Sequence, residues 1–145
     1  MFGYREVSTD AKTTRFAVAG THGQFVDVHE VAQGTLQSRQ GHSSIHHVAF
    51  RAIDDAQREA FRVPLYELGV ASTETVERIF FHATYFWTPS SILFEISTDS
   101  PGFTVNETAE ELGEKMVLPP WYEGDRAEIE ANLPQITLPR HEKNR

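Results

Sequence analysis

Glu95 lies in Ile92-Leu93-Phe94-Glu95-Ile96, a run that otherwise reads as a buried strand. A carboxylate in such a place is costly unless it is paired or holds a metal ion. The alternative is an outward-facing glutamate on a half-exposed sheet. The adjacent pair His46-His47 bears on that choice. Neutral imidazole is a common transition-metal ligand and suits iron, zinc and nickel. A lone histidine on an apolar face is usually bonded to a backbone carbonyl. Two adjacent histidines on one strand, with a buried-looking glutamate on another, are a more specific combination. Arg78 and Tyr85 flank the same region. A tyrosine can donate to a substrate oxygen, and an arginine can neutralise a carboxylate. Their ordinary readings are a core aromatic and a solvated charge. His22, His29, His42, His82 and His141 have no partner at metal-ligand spacing and read as structural or surface residues, with His42 nearest the histidine pair. There is no nucleotide-binding glycine loop, no Ser or Cys nucleophile motif and no HExxH.

These residues need elements to position them. Residues 15–19 and 23–30 read as two strands of a hairpin, and 31–43 as a polar loop. Residues 44–51 form a strand candidate in which alternation places Ile45, His47 and Ala49 on one face, and His46, Val48 and Phe50 on the other. Asp54-Asp55 open a helix with an Ala60, Phe61, Pro64, Leu65, Leu68 stripe, stopped by Gly69 and interrupted at Pro64. Strands are expected at about 74–80 and 82–88, a turn at Pro89-Ser90-Ser91, and a last strand at 92–97. The order from 44 to 98 is therefore β-α-β-β-β. In such a unit the first and last strands can be neighbours, so their side chains could converge. Beyond residue 99, Asn106 can cap a short acidic helix running through Leu112 and stopped by Gly113. Residues 118–121 read as extended, Asp125 can cap a second helix through Leu133, and the charged end from Pro139 to Arg145 reads as frayed. The fold class is α+β: a βαβββ module at 41–99, preceded by a β-hairpin and linker at 1–40 and followed by a helical extension at 100–145.

The chain has 145 residues, enough for one ordinary domain with a real core. Its 21 acidic and 13 basic residues leave a formal charge of −8. That balance argues against non-specific nucleic-acid or anionic-membrane partners, which need a basic field. No apolar run approaches the roughly 18 residues of a membrane span, and the first residues do not resemble a signal peptide. Cysteine is absent, which excludes disulfides, thiol catalysis and cysteine-based metal sites, and makes a reducing, cytoplasmic setting the expectation.

Three segments carry a resemblance: Ser44-Ile45-His46-His47-Val48-Ala49-Phe50-Arg51; Arg78 with Tyr85-Phe86; and Ile92-Leu93-Phe94-Glu95-Ile96-Ser97-Thr98-Asp99-Ser100-Pro101-Gly102-Phe103. Together they resemble the C-terminal part of ring-cleaving dioxygenases of the glyoxalase (vicinal oxygen chelate) superfamily, hydroquinone dioxygenases in particular. Leu118-Pro119-Pro120-Trp121 and Arg126-Ala127-Glu128-Ile129-Glu130 continue the likeness. The resemblance implies a non-haem Fe(II) site of two histidines and one glutamate. Its members hold Fe2+, with Mn2+, Ni2+ or Zn2+ as alternatives. It assigns His47 and Glu95 as ligands and His46, Arg78 and Tyr85 to the substrate side. It implies an aromatic diol, a hydroquinone or catechol, and O2 as reactants. Members are about twice this length, and their other histidine ligand sits on an earlier module. Trp87 stands where a basic residue is expected, and Ser90-Ser91 where a Gly-Gly turn is expected. A βαβββ module is half of a cup, so a homodimer is the expected assembly. A dimeric metal-dependent lyase or isomerase, a metal-free binding protein and an inactive fragment are the other functions compatible with this fold.

Overall fold

The computed structural model describes residues 2–20, 23–36 and 39–134. His22, His141 and the charged end of the chain lie outside the described residues. The chain divides into two units, Met1–Ser100 and Pro101–Arg145. Among the described residues no helix is long and apolar enough to cross a membrane.

Among the described residues the first unit holds two sheets. Strands β1 (Arg5–Thr9), β2 (Thr13–Ala17) and β3 (Phe25–His29) pair antiparallel in that order. The hairpin expected from the sequence is β2–β3. β1 is an additional strand, unmarked in the sequence because Arg-Glu-Val-Ser-Thr is exposed throughout and shows no sustained apolar alternation. The second sheet has the order β4-β7-β6-β5, built from β4 (Val48–Ala52), β5 (Val76–Glu77), β6 (Phe81–Trp87) and β7 (Leu93–Pro101). With helix α1 (Asp55–Glu67) after β4, this is the β-α-β-β-β order, and the first and last strands are neighbours.

β4 and β7 run parallel, with Val48 opposite Phe94, Ala49 opposite Glu95 and Phe50 opposite Ile96. That register separates two faces. Phe50, Ala52, Phe94, Ile96, Thr84 and Phe86 share the side against α1; Ala49, Arg51, Tyr85, Glu95 and Asp99 share the other. The core is Ala52, Leu65, Phe86 and Ile96, with Phe2, Phe61, Val70 and Phe94 packed around it. Phe2 stacks on Phe50, the ring centroids 4.3 Å apart, and so ties the chain's start to the second sheet.

Helix α1 begins and ends where its caps dictate. The Asp54 side chain accepts the Gln57 N–H at 2.8 Å. Gly69, at φ +70°, takes the left-handed position that ends the helix. Pro64 does not interrupt it. It lies in the last turn, where the Leu68 N–H donates to the carbonyls of Pro64 and Leu65, both at 3.1 Å, so the turn closes despite the missing donor. The buried stripe also differs from the expected one. Arg58 and Leu65 are buried while Leu68 is 74% exposed.

His82 ties helix to sheet: its Nδ1 meets Asp55 at 2.8 Å and its Nε2 meets Glu77 at 2.9 Å. The hydrogen bond to Asp55 raises His82 above its ordinary 6.5, and the same bond lowers Asp55 below its ordinary 3.8. A raised histidine contributes its full stability below pH 6.5 and loses it as pH rises through the folded value. A lowered aspartate contributes above pH 3.8 and loses it as pH falls through the folded value. The contact is therefore strongest between pH 3.8 and 6.5. Thermal melts of wild type and His82→Gln should differ most inside that window and converge above it.

Among the described residues the second unit holds one α-helix, α2 (Arg126–Asn132), entered through a 3-10 stretch at Pro120–Asp125 that overlaps the end of the 118–121 segment expected to be extended. Asp125 sits at the cap of α2 without a capping side-chain bond. The helix expected from Asn106 to Leu112 is absent, and isolated turns such as Glu111 N–H to Thr108 O replace it. Glu107, Glu110, Glu111 and Glu114 would repel one another at i, i+3 and i, i+4 on a helix too short to propagate by itself.

Candidate metal and substrate site

The open face of the second sheet gathers the residues singled out in the sequence. His46 and His47 precede β4 rather than lying within it, yet the alternation carries through. His47 falls on the side of Ala49, whose register partner is Glu95. As a result His47 Nε2 lies 2.9 Å from Glu95 Oε2, although 48 positions separate the two residues. Glu95 is 3% exposed and Ile96, its neighbour on the opposite face, is fully buried. The outward-facing alternative for Glu95 is thereby excluded. Its carboxylate is buried on the open face of the sheet and paired.

The other three candidates surround this pair. His46 Nδ1 lies 3.0 Å from His47 Nδ1, and Gln40 donates to the His46 carbonyl at 2.8 Å, holding the segment before β4. The Tyr85 ring on β6 stands edge-on to His47, centroids 6.4 Å apart. Arg78 lies over the Tyr85 ring at 5.3 Å and donates from Nε to its hydroxyl at 3.2 Å. Burial raises the Tyr85 phenol above its ordinary 10.0, and the nearby Glu95 carboxylate adds to that rise while Arg78 opposes it. The phenol thus stays protonated at neutral pH, and its hydroxyl hydrogen-bonds the Glu95 carboxylate.

His29 bonds to Thr13 on the first sheet, and the exposed His42 bonds to Ser43. Beside the histidine pair opens a pocket of about 780 Å³, lined in part by Ile45, Trp87, Ile92 and Leu93 with Gln40 and Ser43 at its polar side. Trp87 therefore borders the site. Ile45 and Ile92 carry no sequence signal, being ordinary apolar residues of strand-like runs.

His47 and Glu95 are donors of the right kind for a two-histidine, one-carboxylate centre, and the pairing of an exposed imidazole with a buried carboxylate oxygen fits such a group. Such a centre needs three ligands. Among the described residues no group of three His, Asp or Glu side chains is placed to hold an ion.

No family model matches the chain. It is 39% identical over 141 residues to the "Putative ring-cleaving dioxygenase MhqA" of Bacillus subtilis (strain 168), covering 94% of this chain and 45% of that protein. It is 32% identical over 90 residues to a chlorohydroquinone/hydroquinone 1,2-dioxygenase of Sphingobium indicum, covering 61% of this chain and 28% of that protein. The crystal structure of a "putative dioxygenase from Bacillus subtilis subsp. subtilis str. 168" superposes with a TM-score of 0.83 at 35% identity, over 93% of this chain and 43% of that one. A glyoxylase/bleomycin resistance protein/dioxygenase domain from Frankia sp. EAN1pec shares the fold, with a TM-score of 0.54 at 18% identity, over 66% of this chain and 78% of that one. The chain spans less than half the length of the first of these relatives. By sequence this chain belongs to the family of the ring-cleaving dioxygenases, and its fold is that of the glyoxylase/bleomycin resistance protein/dioxygenase domain.

Proposed function

We propose that this chain forms part of a non-haem Fe(II) centre for extradiol-type cleavage of a dihydroxybenzene, with His47 and Glu95 as ligands. The observation that carries the reading is the 2.9 Å contact between His47 and the buried Glu95, made across neighbouring strands in a homologue of ring-cleaving dioxygenases. When bound, the iron supplies a meeting place for a phenolate and O2. The chain's own residues orient the reactants. Tyr85 keeps its proton and offers it to a substrate oxygen, Arg78 fixes the Tyr85 hydroxyl, and His46 holds the ring of His47 from its far side. Trp87, Ile45 and Ile92 shelter the ring of the diol from water.

The missing ligand comes from outside the described residues. A second copy of the chain is the source favoured here, because β4 and β5 are the unpaired edges of the site-bearing sheet among the described residues. The cysteine-free composition supports a cytoplasmic setting. Metal content per chain and native mass, measured on anaerobically purified protein, test the reading. About one iron per chain or per dimer, lost in His47→Ala, with oxygen uptake on adding a hydroquinone, is the expected result. A metal-free protein unchanged by Fe(II) overturns it.

The pocket also sets a substrate preference. Among the described residues none that lines it is a lysine or arginine. A carboxylated ring would desolvate its charge there without a partner, at a cost of several kcal/mol. Methyl- or chlorohydroquinone should therefore exceed a carboxylated hydroquinone in kcat/KM by at least about 100-fold, and Trp87→Arg should narrow that ratio. Competing-substrate assays on the two proteins measure both.

A further inference from the structure

Arg78 reaches Tyr85 from a turn whose backbone is unusual. β5 ends at Glu77 and β6 begins at Phe81. Arg78 N–H donates to Phe81 O at 2.9 Å, and Phe80 N–H donates back to Arg78 O at 2.7 Å, closing a three-residue turn centred on Ile79. Ile79 has φ +68°. A β-branched residue is a true outlier there, and a γ-turn of this hand is rare and strained. The first position of a two-residue hairpin with positive φ ordinarily takes glycine. Strain of this kind persists only where its surroundings over-determine it.

Glu77 supplies the restraint. Its Oε1 accepts the Ile79 N–H at 2.6 Å, while its Oε2 meets His82 Nε2 at 2.9 Å, and His82 is itself anchored on Asp55 of α1. Glu77 pairs with His82 across the β5–β6 ladder, so its side chain lies on the helix side of the sheet. The next residue, Arg78, then falls on the opposite side, where Tyr85 and Glu95 lie. The turn thus converts an anchor on one face into the placement of a cation on the other.

We propose that Glu77 is a positioning residue of the candidate site: by bridging His82 and the Ile79 N–H it holds a strained turn that carries Arg78 onto the Tyr85 ring and hydroxyl. The value of that placement to catalysis rests on the function proposed above. The test does not, because it uses metal-free protein and no substrate. In ¹⁵N-labelled protein the Arg78 Nε–H signal, assigned with Arg78→Lys, reports the contact through its ring-current shift and slow exchange with water. Glu77→Ala should erase the shift and speed exchange by roughly three- to tenfold, the protection one such hydrogen bond gives. Glu77→Gln, read above the His82 titration, should keep the wild-type signal, because the amide oxygen still accepts from Ile79 and the amide N–H donates to Nε2 of a neutral His82 whose Nδ1–H faces Asp55. Ile79→Gly should raise Tm, and Glu77→Ala with Ile79→Gly should restore the signal, because glycine takes positive φ without a restraint. If Glu77→Ala alone does not fold, the double variant decides. A wild-type Arg78 signal in Glu77→Ala, a displaced one in Glu77→Gln, or a displaced one in the double variant each overturns the proposal.

Discussion

Glu95→Gln should lose Fe(II) retention while the protein stays folded. The glutamine is nearly isosteric and can still bond His47 Nε2 and the Tyr85 hydroxyl, but it brings no charge to a metal ion. Changing a residue that merely supports a ligand typically costs 10- to 100-fold in metal affinity, so losing Glu95 as the proposed ligand should cost at least about 100-fold. Stability should move the other way or not at all. Glu95 is 3% exposed, and a buried carboxylate that trades its charge for an amide sheds a desolvation cost. Metal content after gel filtration and a thermal melt on the same sample separate the two effects. A variant that keeps its iron places the ligands elsewhere. A variant that loses iron only because it melts returns Glu95 to a structural role.

The site is legible in the sequence to the extent that strand parity and strand adjacency are. Glu95 stands out because its neighbours are apolar, and His47 rather than His46 shares its side because side chains alternate. That parity survives although β4 starts only at Val48, since the chain stays extended enough through 46–47 to deliver the imidazole. Adjacency of the first and last strands follows from the β-α-β-β-β order, and the parallel register of β4 on β7 makes it concrete. The ends of α1 are legible for local reasons, an acidic cap and a glycine stop.

Elsewhere tertiary context decides. Nothing in Glu77-Arg78-Ile79-Phe80 announces a turn, because its hairpin has isoleucine where glycine is ordinarily found and depends on side chains from 55 and 82 to hold it. Pro64 signals a break that the last turn of a helix tolerates. The acidic stretch after Asn106 has capping residues at both ends but no force to hold the turns between them. Arg58 falls at helical spacing from Phe61 and Leu65 but, being charged, is not counted in the apolar stripe, and it is 4% exposed beneath the sheet.

Arg58→Ala should be among the most damaging single substitutions outside the candidate site, costing about 2–4 kcal/mol. The guanidinium donates to Thr84 Oγ1 at 2.6 Å, to Thr75 Oγ1 at 2.8 Å and to Asp55 at 3.2 Å, so one side chain joins α1 to both strands β5 and β6 or their approach. Truncation removes a long buried stem and leaves the Thr84 hydroxyl, itself fully buried, without its donor. Arg58→Met keeps most of the stem and should recover part of the loss. Adding Thr84→Val to Arg58→Met should recover more, because replacing both partners by apolar groups of similar shape leaves no polar atom stranded. Urea titrations of wild type, Arg58→Met, Thr84→Val and the double variant give the cycle, with Arg58→Ala measured beside them. A double variant no better than Arg58→Met alone would mean that packing, not the stranded hydroxyl, dominates. The consequence reaches the open face: Thr84 precedes Tyr85 on β6, so the bond that seats one side of that strand on the helix also sets the height of the phenol beside Glu95 and His47.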